Sequence, residues 1–302
     1  TVSARPGVQC GTDGSRFVCR SEIRPGKSEA VVFCLPFRAL DKVPDKSAAE
    51  LAGLDFDEWK ARTAEFWDDL LGRGAKLYVP EEKALYSYLA SLVYQFIGRD
   101  KGELHAGEGF YDEIYLRDGA YQAVSLAQAG FLDAARQSLD FFPRFQKENG
   151  QFVSQPGQLD ANGYAVWAMT EYGHLSGDNI WVWKHYPAVQ KAVAFARTAR
   201  ASEKDPNSPF FGILPKAPAD GENLWAGNNH IVGYDWWNLR AVESAAESAR
   251  LLAKIDDMKA YKAEFESYRT DILRALDRTG LPYIPPSYEK EGTHWGNLEA
   301  IF

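Results

Sequence analysis

Residues 109–145 read GFYDEIYLRDGAYQAVSLAQAGFLDAARQSLDFFPRF, in which a charged and aromatic loop leads into an alanine-rich helix, a tight turn and an amphipathic helix. The same order of parts recurs in residues 159–196 and again in residues 233–273. A repeat spacing of roughly 40 to 70 residues is typical of an array of helical hairpins. The sequence therefore predicts a mainly α-helical protein built from repeated hairpins.

The two helices of each predicted hairpin differ in composition. The first is rich in Ala, Gly and Ser, which lets neighbouring helices approach it closely, whereas the second has one apolar stripe and one charged face. We therefore expect a ring of first helices surrounded by second helices, an (α/α)6 toroid. In such a ring the loops before the inner helices meet at one end, around a common cavity. The candidate site residues in those loops are Tyr111, Asp112, Tyr115, Arg117, Asp118, Gln158, Asp160, Glu222, Trp225, Asn228, Asn229, His230, Asp235, Trp236 and Trp237.

Some of these residues also have a simpler explanation. Asp is a common N-cap of helices, so capping explains Asp160, and Asp178 further along, as well as a functional role does. Capping does not explain so many carboxylates, amides and tryptophans at corresponding helix starts. We therefore interpret the set as a binding site.

Apolar periodicity predicts where the helices lie. The predicted ranges are 81–98, 118–130, 132–147, 160–176, 179–200, 234–254 and 257–278, with a further helix beginning near residue 294. These helices leave a six-hairpin ring open by roughly two hairpins. We therefore expect the C-terminal part of the ring to be missing from this chain, and the chain alone to be inactive.

Three regions follow one another in the predicted domain organisation. Residues 1–45 are predicted to be the end of an N-terminal β-sandwich, and residues 46–79 a linker helix. Residues 80–302 are predicted to form the α/α catalytic domain, incomplete at its C-terminal end.

Two details of the first regions are predicted from local patterns. Residues 15–37 form two β-rich runs around an Arg-Pro-Gly-Lys turn, which is typical of a β-hairpin. The linker helix is expected to pack through three aromatic residues, Trp59, Phe66 and Trp67.

Composition limits the class of ligand. The 302 residues are 45% hydrophobic and 25% charged, as in a globular protein with a substantial core. A formal net charge of -8 leaves no basic face for phosphate backbones, so no nucleic-acid partner is expected. No apolar run approaches the ~20 residues of a membrane span, so no membrane partner is expected. Aromatic residues make up 14% of the chain and include nine Trp, which favours a neutral ligand such as a sugar.

The cysteines give no sign of a cofactor or metal site. Cys10 and Cys19 could close a short disulfide in an oxidising compartment, and a periplasmic or extracellular location is favoured over a cytoplasmic one. Cys34, within an apolar run, is predicted to be buried.

Motifs of nucleotide, zinc-protease and serine-hydrolase sites do not occur in the sequence. We therefore expect no cofactor and no metal.

At these residues the chain resembles the six-hairpin (α/α) glycosidases, that is glucoamylases and glucodextranases, with trehalose and maltose phosphorylases as more distant relatives. Residues 115–136 are similar to the glucoamylase inner helix whose Arg-Asp pair binds hydroxyls of the terminal sugar, which implies that role for Arg117 and Asp118. Residues 158–178 and 236–257 are similar to later hairpins. The β-rich start also matches, since bacterial members place a β-sandwich before the barrel. The resemblance implies a glycoside hydrolase, with an α-glucosidic bond as its substrate.

The resemblance also implies a general acid. In that family the acid lies in the loop between the fifth and sixth barrel helices, which corresponds to residues 202–234 here. Glu222 is the matching carboxylate, because paired asparagines follow it as in the phosphorylase relatives. In glucoamylases the acid directly follows a Trp, whereas here Ala226 follows Trp225. Burial beside Trp225 would supply the raised pKa that such an acid needs near neutral pH.

Glycosidic cleavage needs a second carboxylate, which activates water or attacks the sugar. The resemblance implies inversion of the anomeric centre, with carboxyls about 6.5 to 9.5 Å apart and a base in a later hairpin outside this chain. Glu289 and Glu291 are the alternative base candidates within it. Arg117 is expected to clamp sugar hydroxyls, with its guanidinium oriented by Asp118.

Three other functions fit the same residues. A polysaccharide lyase on a related helical toroid would use Asn229 to polarise a uronate, with His230 and Tyr234 as base and acid. A glycoside phosphorylase would use phosphate in place of water. A non-catalytic carbohydrate-binding module would retain its ligand without Glu222.

Overall fold

The computed structural model of the protein describes residues 2–4, 9–28, 30–33, 50, 53–107, 109–218 and 228–289. The chain divides into two units, Thr1–Gly72 and Arg73–Phe302.

The first unit contains two short antiparallel ribbons. Strand β1 (Val2–Ala4) pairs with β4 (Val31–Phe33), and β2 (Gln9–Asp13) pairs with β3 (Arg16–Arg20). Cys10 and Cys19 lie directly opposite each other in the second ribbon and form a disulfide. Cys34, which was predicted to be buried, lies outside the described residues.

The predicted hairpin over residues 15–37 is wrong in its strand pairing. The Arg-Pro-Gly-Lys turn does form, since the Lys27 N–H donates to the Arg24 carbonyl at 3.0 Å. Strand β3 nevertheless pairs backwards with β2 through the two-residue loop Gly14–Ser15, where Gly14 has a φ of 58°. A two-residue loop with positive φ matches the twist of a tight hairpin. Strands β3 and β4 are separated by ten residues, which is too many for a tight hairpin turn.

Helix α1 (Phe56–Gly72) follows the ribbons and has no buried residue. Trp59 is 48% exposed and Phe66 is 58% exposed, so the packing predicted for these two side chains is wrong. The described part of this unit offers no layer that covers them, although the ring of Phe66 contacts that of Trp67 at 5.2 Å.

Seven helices form most of the described part of the second unit. They are α2 (Glu82–Ile97), α3 (Leu116–Gln128), α4 (Leu132–Leu139), α5 (Ala161–Ser176), α6 (Asn179–Arg200), α7 (Val232–Leu251) and α8 (Ile255–Asp277). Their bounds agree with the predicted ranges to within a few residues, except that α4 ends early. Pro143 cannot continue an α-helix, so the chain turns into the 3-10 helix Phe142–Phe145. The helix predicted near residue 294 lies outside the described residues.

Short strands and one further 3-10 helix complete the unit. β5 (Arg99–Asp100) pairs with β6 (Glu103–Leu104), and β7 (Ala217–Pro218) pairs with β8 (Asn228–Asn229). The 3-10 helix Gly109–Tyr111 precedes α3.

The helices form two layers, as predicted. In the inner layer α3 packs against α5, and α5 packs against α7. In the outer layer α4 packs on α3, α6 on α5 and α7, and α8 on α7. Small residues of the inner helices, such as Ala120, Ala165 and Ala245, are fully buried. Three successive hairpins therefore form an arc with the alanine-rich helices inside.

The inner helices α5 and α7 approach most closely near their N-terminal ends. A Cβ at Gly163 would lie 2.6 Å from the Cβ of Trp237, nearer than side chains approach in proteins. Beside this contact, the Asn162 amide donates to the Asn238 amide oxygen at 3.4 Å, and Asn238 donates to the Leu159 carbonyl at 2.6 Å. Only glycine lets the two helices meet here, which positions the loops before them.

Candidate active site

The loops before the inner helices meet at one end of the arc. Ser154, in the loop before α5, accepts a hydrogen bond from the first backbone N–H of α3, that of Leu116, at 3.0 Å. Gly157 of the same loop packs against the ring of Pro218 in β7. Tyr234, in the first turn of α7, donates its hydroxyl to the Pro218 carbonyl at 2.9 Å. The predicted convergence of these loops is therefore present among the described residues.

An ion pair joins the first two of these helix starts. The Arg117 guanidinium of α3 lies 2.8 Å from Asp160 Oδ2 at the start of α5, and their side chains are 20% and 5% exposed. Asp160 makes no side-chain cap to its own helix, whereas Asp178 does cap α6, accepting from the Trp181 N–H at 2.9 Å. Capping therefore explains Asp178 but not Asp160, although the sequence pattern is the same for both. The structure also pairs Arg117 with Asp160.

An aromatic cluster lies next to this ion pair. The Arg117 guanidinium is 5.6 Å from the ring centre of Tyr164, and the rings of Tyr164 and Trp237 are 3.9 Å apart. Tyr121 contacts Tyr164, Trp167 and Trp237 edge to face at 5.5 to 6.2 Å. We call these four aromatic residues, Tyr121, Tyr164, Trp167 and Trp237, the aromatic cluster.

Sequence reasoning found only Trp237 of the aromatic cluster. The signal for the others was their helical spacing: Tyr121 follows Arg117 by four residues, and Tyr164 follows Asp160 by four. Residues four apart share one face of a helix, so each aromatic ring continues the face that begins with a charged residue.

The loop before α3 contains a second polar group, centred on His105. Its Nδ1 lies 2.6 Å from Asp112 Oδ1, and its Nε2 lies 3.5 Å from Glu103 Oε2. Burial acts to lower the pKa of His105, but the hydrogen bonds and charges of Asp112 and Glu103 together raise it. Tyr111 and Tyr115 lie nearby in sequence with their rings 6.1 Å apart, and Tyr111 is exposed. Sequence reasoning found Asp112 but missed His105.

A histidine and a glutamate form a closely bonded pair at the entry to α7. Glu289 Oε1 lies 2.5 Å from His230 Nδ1, and Oε2 accepts the backbone N–H of His230 at 3.0 Å. The imidazole stacks on Phe210 at 3.8 Å, and Lys216 Nζ is 3.8 Å from the same Glu289 oxygen. The His230 Nε2 makes no hydrogen bond to another described residue. The pair thus fixes the imidazole and leaves one ring nitrogen for another partner.

This pairing bears on the roles considered for Glu289 and Tyr234. Partial burial acts to raise the pKa of Glu289, but the hydrogen bonds and charge of His230 more than offset it, so the pKa is lowered. Both oxygens of Glu289 are engaged by His230, which suits a group that orients a side chain better than one that activates water. Tyr234 is buried with its hydroxyl donated to Pro218, so the lyase acid role finds less support.

The remaining predicted residues differ in exposure. Asn228 is exposed and Asn229 is buried, both in β8. Gln158 donates to the Gln155 side chain at 2.6 Å. Asp118 and Trp236 are partly buried. Glu222, Trp225 and Glu291 lie outside the described residues.

Asp235 lies fully buried beneath the site, in the first turn of α7. Its Oδ1 accepts hydrogen bonds from the Leu214 backbone N–H at 2.9 Å and from the Tyr268 hydroxyl at 2.7 Å. Burial raises the pKa of Asp235 to about 6, and the hydrogen bonds from Tyr268 and Leu214 offset only part of that effect. The predicted site residue Asp235 is therefore an internal group that holds the loop before α7.

A buried arginine fixes the same loop from the other side. Arg200, at the end of α6, donates to the Gly212 carbonyl at 2.7 Å and pairs with Asp271 at 2.8 Å and with Glu264. Its guanidinium stacks over the Tyr268 ring at 3.9 Å. Because the charge of Arg200 is matched by two carboxylates, the network anchors the stem of the loop to α6 and α8.

The described residues contain neither a cluster of metal ligands nor a membrane-spanning helix. Nowhere in this part of the chain do three or more His, Cys, Asp or Glu side chains come together as metal ligands would. None of its helices combines the length and apolar character required to cross a membrane.

Comparison with known proteins adds one structural relative. The structure is similar to the crystal structure of a bacterial glucoamylase complexed with acarbose, with a TM-score of 0.55 and 17% sequence identity. The likeness covers 75% of this chain and 34% of the glucoamylase chain, so this chain spans about a third of that protein. No protein-family model matches the sequence, and no curated protein matches it. The predicted mainly helical α/α-toroid fold is confirmed.

Proposed function

We propose that the protein is a glycoside hydrolase that cleaves an α-glucosidic bond of an oligo- or polysaccharide. The observation that supports this best is the Arg117–Asp160 ion pair beside the aromatic cluster, at the converging ends of the inner helices. Tyr164 and Trp237 are buried, whereas Tyr121 and Trp167 are partly exposed and offer flat apolar faces to a sugar. The Arg117 guanidinium offers several N–H donors to the sugar hydroxyls. The fold shared with a bacterial glucoamylase is consistent with the proposal.

In the proposed mechanism, Arg117 and Asp118 bind hydroxyls of the terminal sugar and Asp160 holds the guanidinium in place. Glu222 protonates the leaving oxygen, and a second carboxylate activates water on the opposite face of the ring. Glu291 is the proposed base within this chain, because Glu289 is engaged by His230. The anomeric centre would be inverted, with the two carboxyls about 6.5 to 9.5 Å apart.

Glu222→Gln tests the acid. The amide keeps the shape of the side chain and loses the proton that the leaving oxygen needs, so turnover of a maltooligosaccharide should fall by about 10²-fold or more. An aryl α-glucoside with a good leaving group needs little protonation and should lose much less. Equal losses on the two substrates would remove Glu222 from the acid role, and unchanged turnover on both would remove it from the site.

Anomer-resolved product analysis tests the reaction class, with a polypeptide that contains this chain and the remaining hairpins of the ring as the enzyme. By proton NMR, an inverting α-glucosidase releases β-glucose first from a maltooligosaccharide. Release of glucose 1-phosphate only when phosphate is added would indicate a phosphorylase, and an unsaturated product that absorbs ultraviolet light would indicate a lyase. Binding of acarbose without any turnover would support the non-catalytic binding module.

A further inference from the structure

A groove of about 390 Å³ lies between helix α6 and the segment that follows α4 in the second unit. One wall is the segment 143–148 after α4, and the other is the exposed face of α6. The lining residues are Pro143, Gln146, Lys147, Glu148, Lys184, His185, Pro187, Ala188 and Lys191. Nothing in the proposed mechanism uses this groove.

The groove concentrates positive charge in an otherwise acidic protein. Lys147, Lys184 and Lys191 line it together with the single carboxylate Glu148. None of the three lysines forms an ion pair with another residue in the described part of the chain. One carboxylate does not balance three lysines, and an anion placed between them would relieve the remaining repulsion.

The walls of the groove are held in place before any ligand arrives. The Gln146 side chain donates to the Ala188 carbonyl of α6 at 2.8 Å and to the Gly150 carbonyl at 3.0 Å. Gly150 has a φ of 93°, and a side chain there would collide with the backbone of Lys191. A preformed groove avoids the entropic cost of ordering a loop on binding.

Large apolar side chains extend the same face of α6 beyond the lysines. Trp183 is 66% exposed and Ile180 is 82% exposed. Residues 180, 183 or 184, 187 and 191 are spaced by three or four, which places them along one side of the helix. From residue 183 to residue 191 that side is about 12 Å long. An exposed indole beside a row of lysines suits a ligand that has both flat apolar faces and negative charges.

We propose that this groove binds an acidic polysaccharide, with uronate carboxylates against Lys147, Lys184 and Lys191 and a sugar ring against Trp183. A nucleic acid is disfavoured because three lysines on a protein of net charge -8 supply too little positive charge for a phosphate backbone. A neutral glucan would leave the lysines unmatched. None of the candidate site residues lines the groove, and the proposal does not depend on the proposed hydrolase function.

Affinity electrophoresis and calorimetry at low salt test the proposal, with polygalacturonate as the acidic probe and dextran as the neutral one. The chain should bind polygalacturonate and not dextran. Changing Lys147, Lys184 and Lys191 together to Gln should weaken binding about tenfold, as expected for three exposed ion pairs. Trp183→Ala should weaken it separately, with the melting temperature unchanged in both variants.

The matched control changes Lys83, Lys259 and Lys262 to Gln, because these lysines lie on α2 and α8 and the change in net charge is the same. This control should bind polygalacturonate as the unmodified chain does. An equal loss in the control would reduce the effect to overall charge and overturn the proposal. So would tighter binding of poly-glutamate or of single-stranded DNA than of polygalacturonate, or no binding of polygalacturonate in 20 mM salt.

Discussion

At the scale of single residues, the proposed site depends on how Arg117 is held. The ion pair with Asp160 and the ring of Tyr164 fix the guanidinium between two inner helices. Arg117→Lys keeps the positive charge but loses the planar set of N–H donors, so affinity for a maltooligosaccharide should fall by about 1 to 3 kcal/mol. Calorimetry measures the loss, and thermal unfolding should show little change.

The control for Arg117 is Arg240→Lys in α7, which alters an arginine paired with Glu243 and Glu171 instead. It should leave sugar affinity unchanged. A large drop in melting temperature for Arg117→Lys with unaltered affinity would make the pair with Asp160 a structural ion pair only.

His230 offers a test that separates its two ring nitrogens. An Asn amide reaches the place of Nδ1 and can keep the contact with Glu289, whereas a Gln amide reaches the place of Nε2. If Nε2 binds a sugar hydroxyl, His230→Asn should retain its melting temperature and lose roughly tenfold in affinity, about the value of one hydrogen bond. His230→Gln should lose stability and retain more affinity. Unchanged affinity of His230→Asn would show that the pair with Glu289 has a structural role only.

The sequence predicts those features of the site that depend on residues close together in the chain, and it does not predict contacts between distant residues. Local patterns marked Arg117, Asp160 and His230, because helix starts and polar loops are visible in a short window. They could not show that Arg117 pairs with Asp160, since 43 residues separate the two and only the packing of α3 on α5 brings them together. The burial of Asp235 was missed for the same reason, because its partners Leu214 and Tyr268 come from other elements.

At the scale of elements, the contact between α5 and α7 decides how the loops meet. Gly163→Ala would place a methyl group against the backbone of Trp237, so the helices must separate. Overpacking of this kind costs typically about 1 to 3 kcal/mol. Denaturant unfolding should show that loss, together with weaker sugar binding because both helix starts move.

Gly119→Ala in α3 is the matched control. There the added methyl group would meet the Phe142 ring at 3.4 Å, an ordinary contact, and a helix-interior Gly→Ala change is favourable by roughly 0.5 to 1 kcal/mol. Equal stability of the two variants would mean that α5 and α7 do not approach as closely as described.

The sequence predicts the layers of helices correctly and the pairing of the first strands incorrectly. The alternation of alanine-rich and amphipathic helices predicted both layers, because composition reports directly which helix can be surrounded. The prediction of a hairpin over residues 15–37 is wrong, because two equally β-rich runs do not specify which strands pair. The tight Gly14–Ser15 loop pairs β3 with β2 instead.

At the scale of the whole molecule, Asp235 links stability to pH. Its pKa is about 6 in the folded protein and 3.8 in the reference state, so the folded state binds the proton more tightly. The stabilisation is complete below pH 3.8 and disappears as the pH rises through 6. A shift of this size corresponds to roughly 3 kcal/mol.

Asp235→Asn should remove this dependence, since the amide oxygen can still accept from Leu214 and Tyr268. The free energy of unfolding of the variant minus that of the unmodified chain should rise by roughly 2.5 kcal/mol between pH 4 and pH 7. Denaturant unfolding across that range measures the difference. A difference that does not change with pH would mean that Asp235 is ionised at all these values.

We propose that a sugar binds where the inner helices begin, beside Arg117 and the aromatic cluster. A crystal structure of the Glu222→Gln variant grown with a maltooligosaccharide tests it most directly, because the variant should hold the sugar uncleaved. We expect the terminal ring within about 3 Å of the Arg117 guanidinium and in contact with the aromatic cluster. A sugar bound elsewhere, or an empty site at saturating concentration, would contradict the claim.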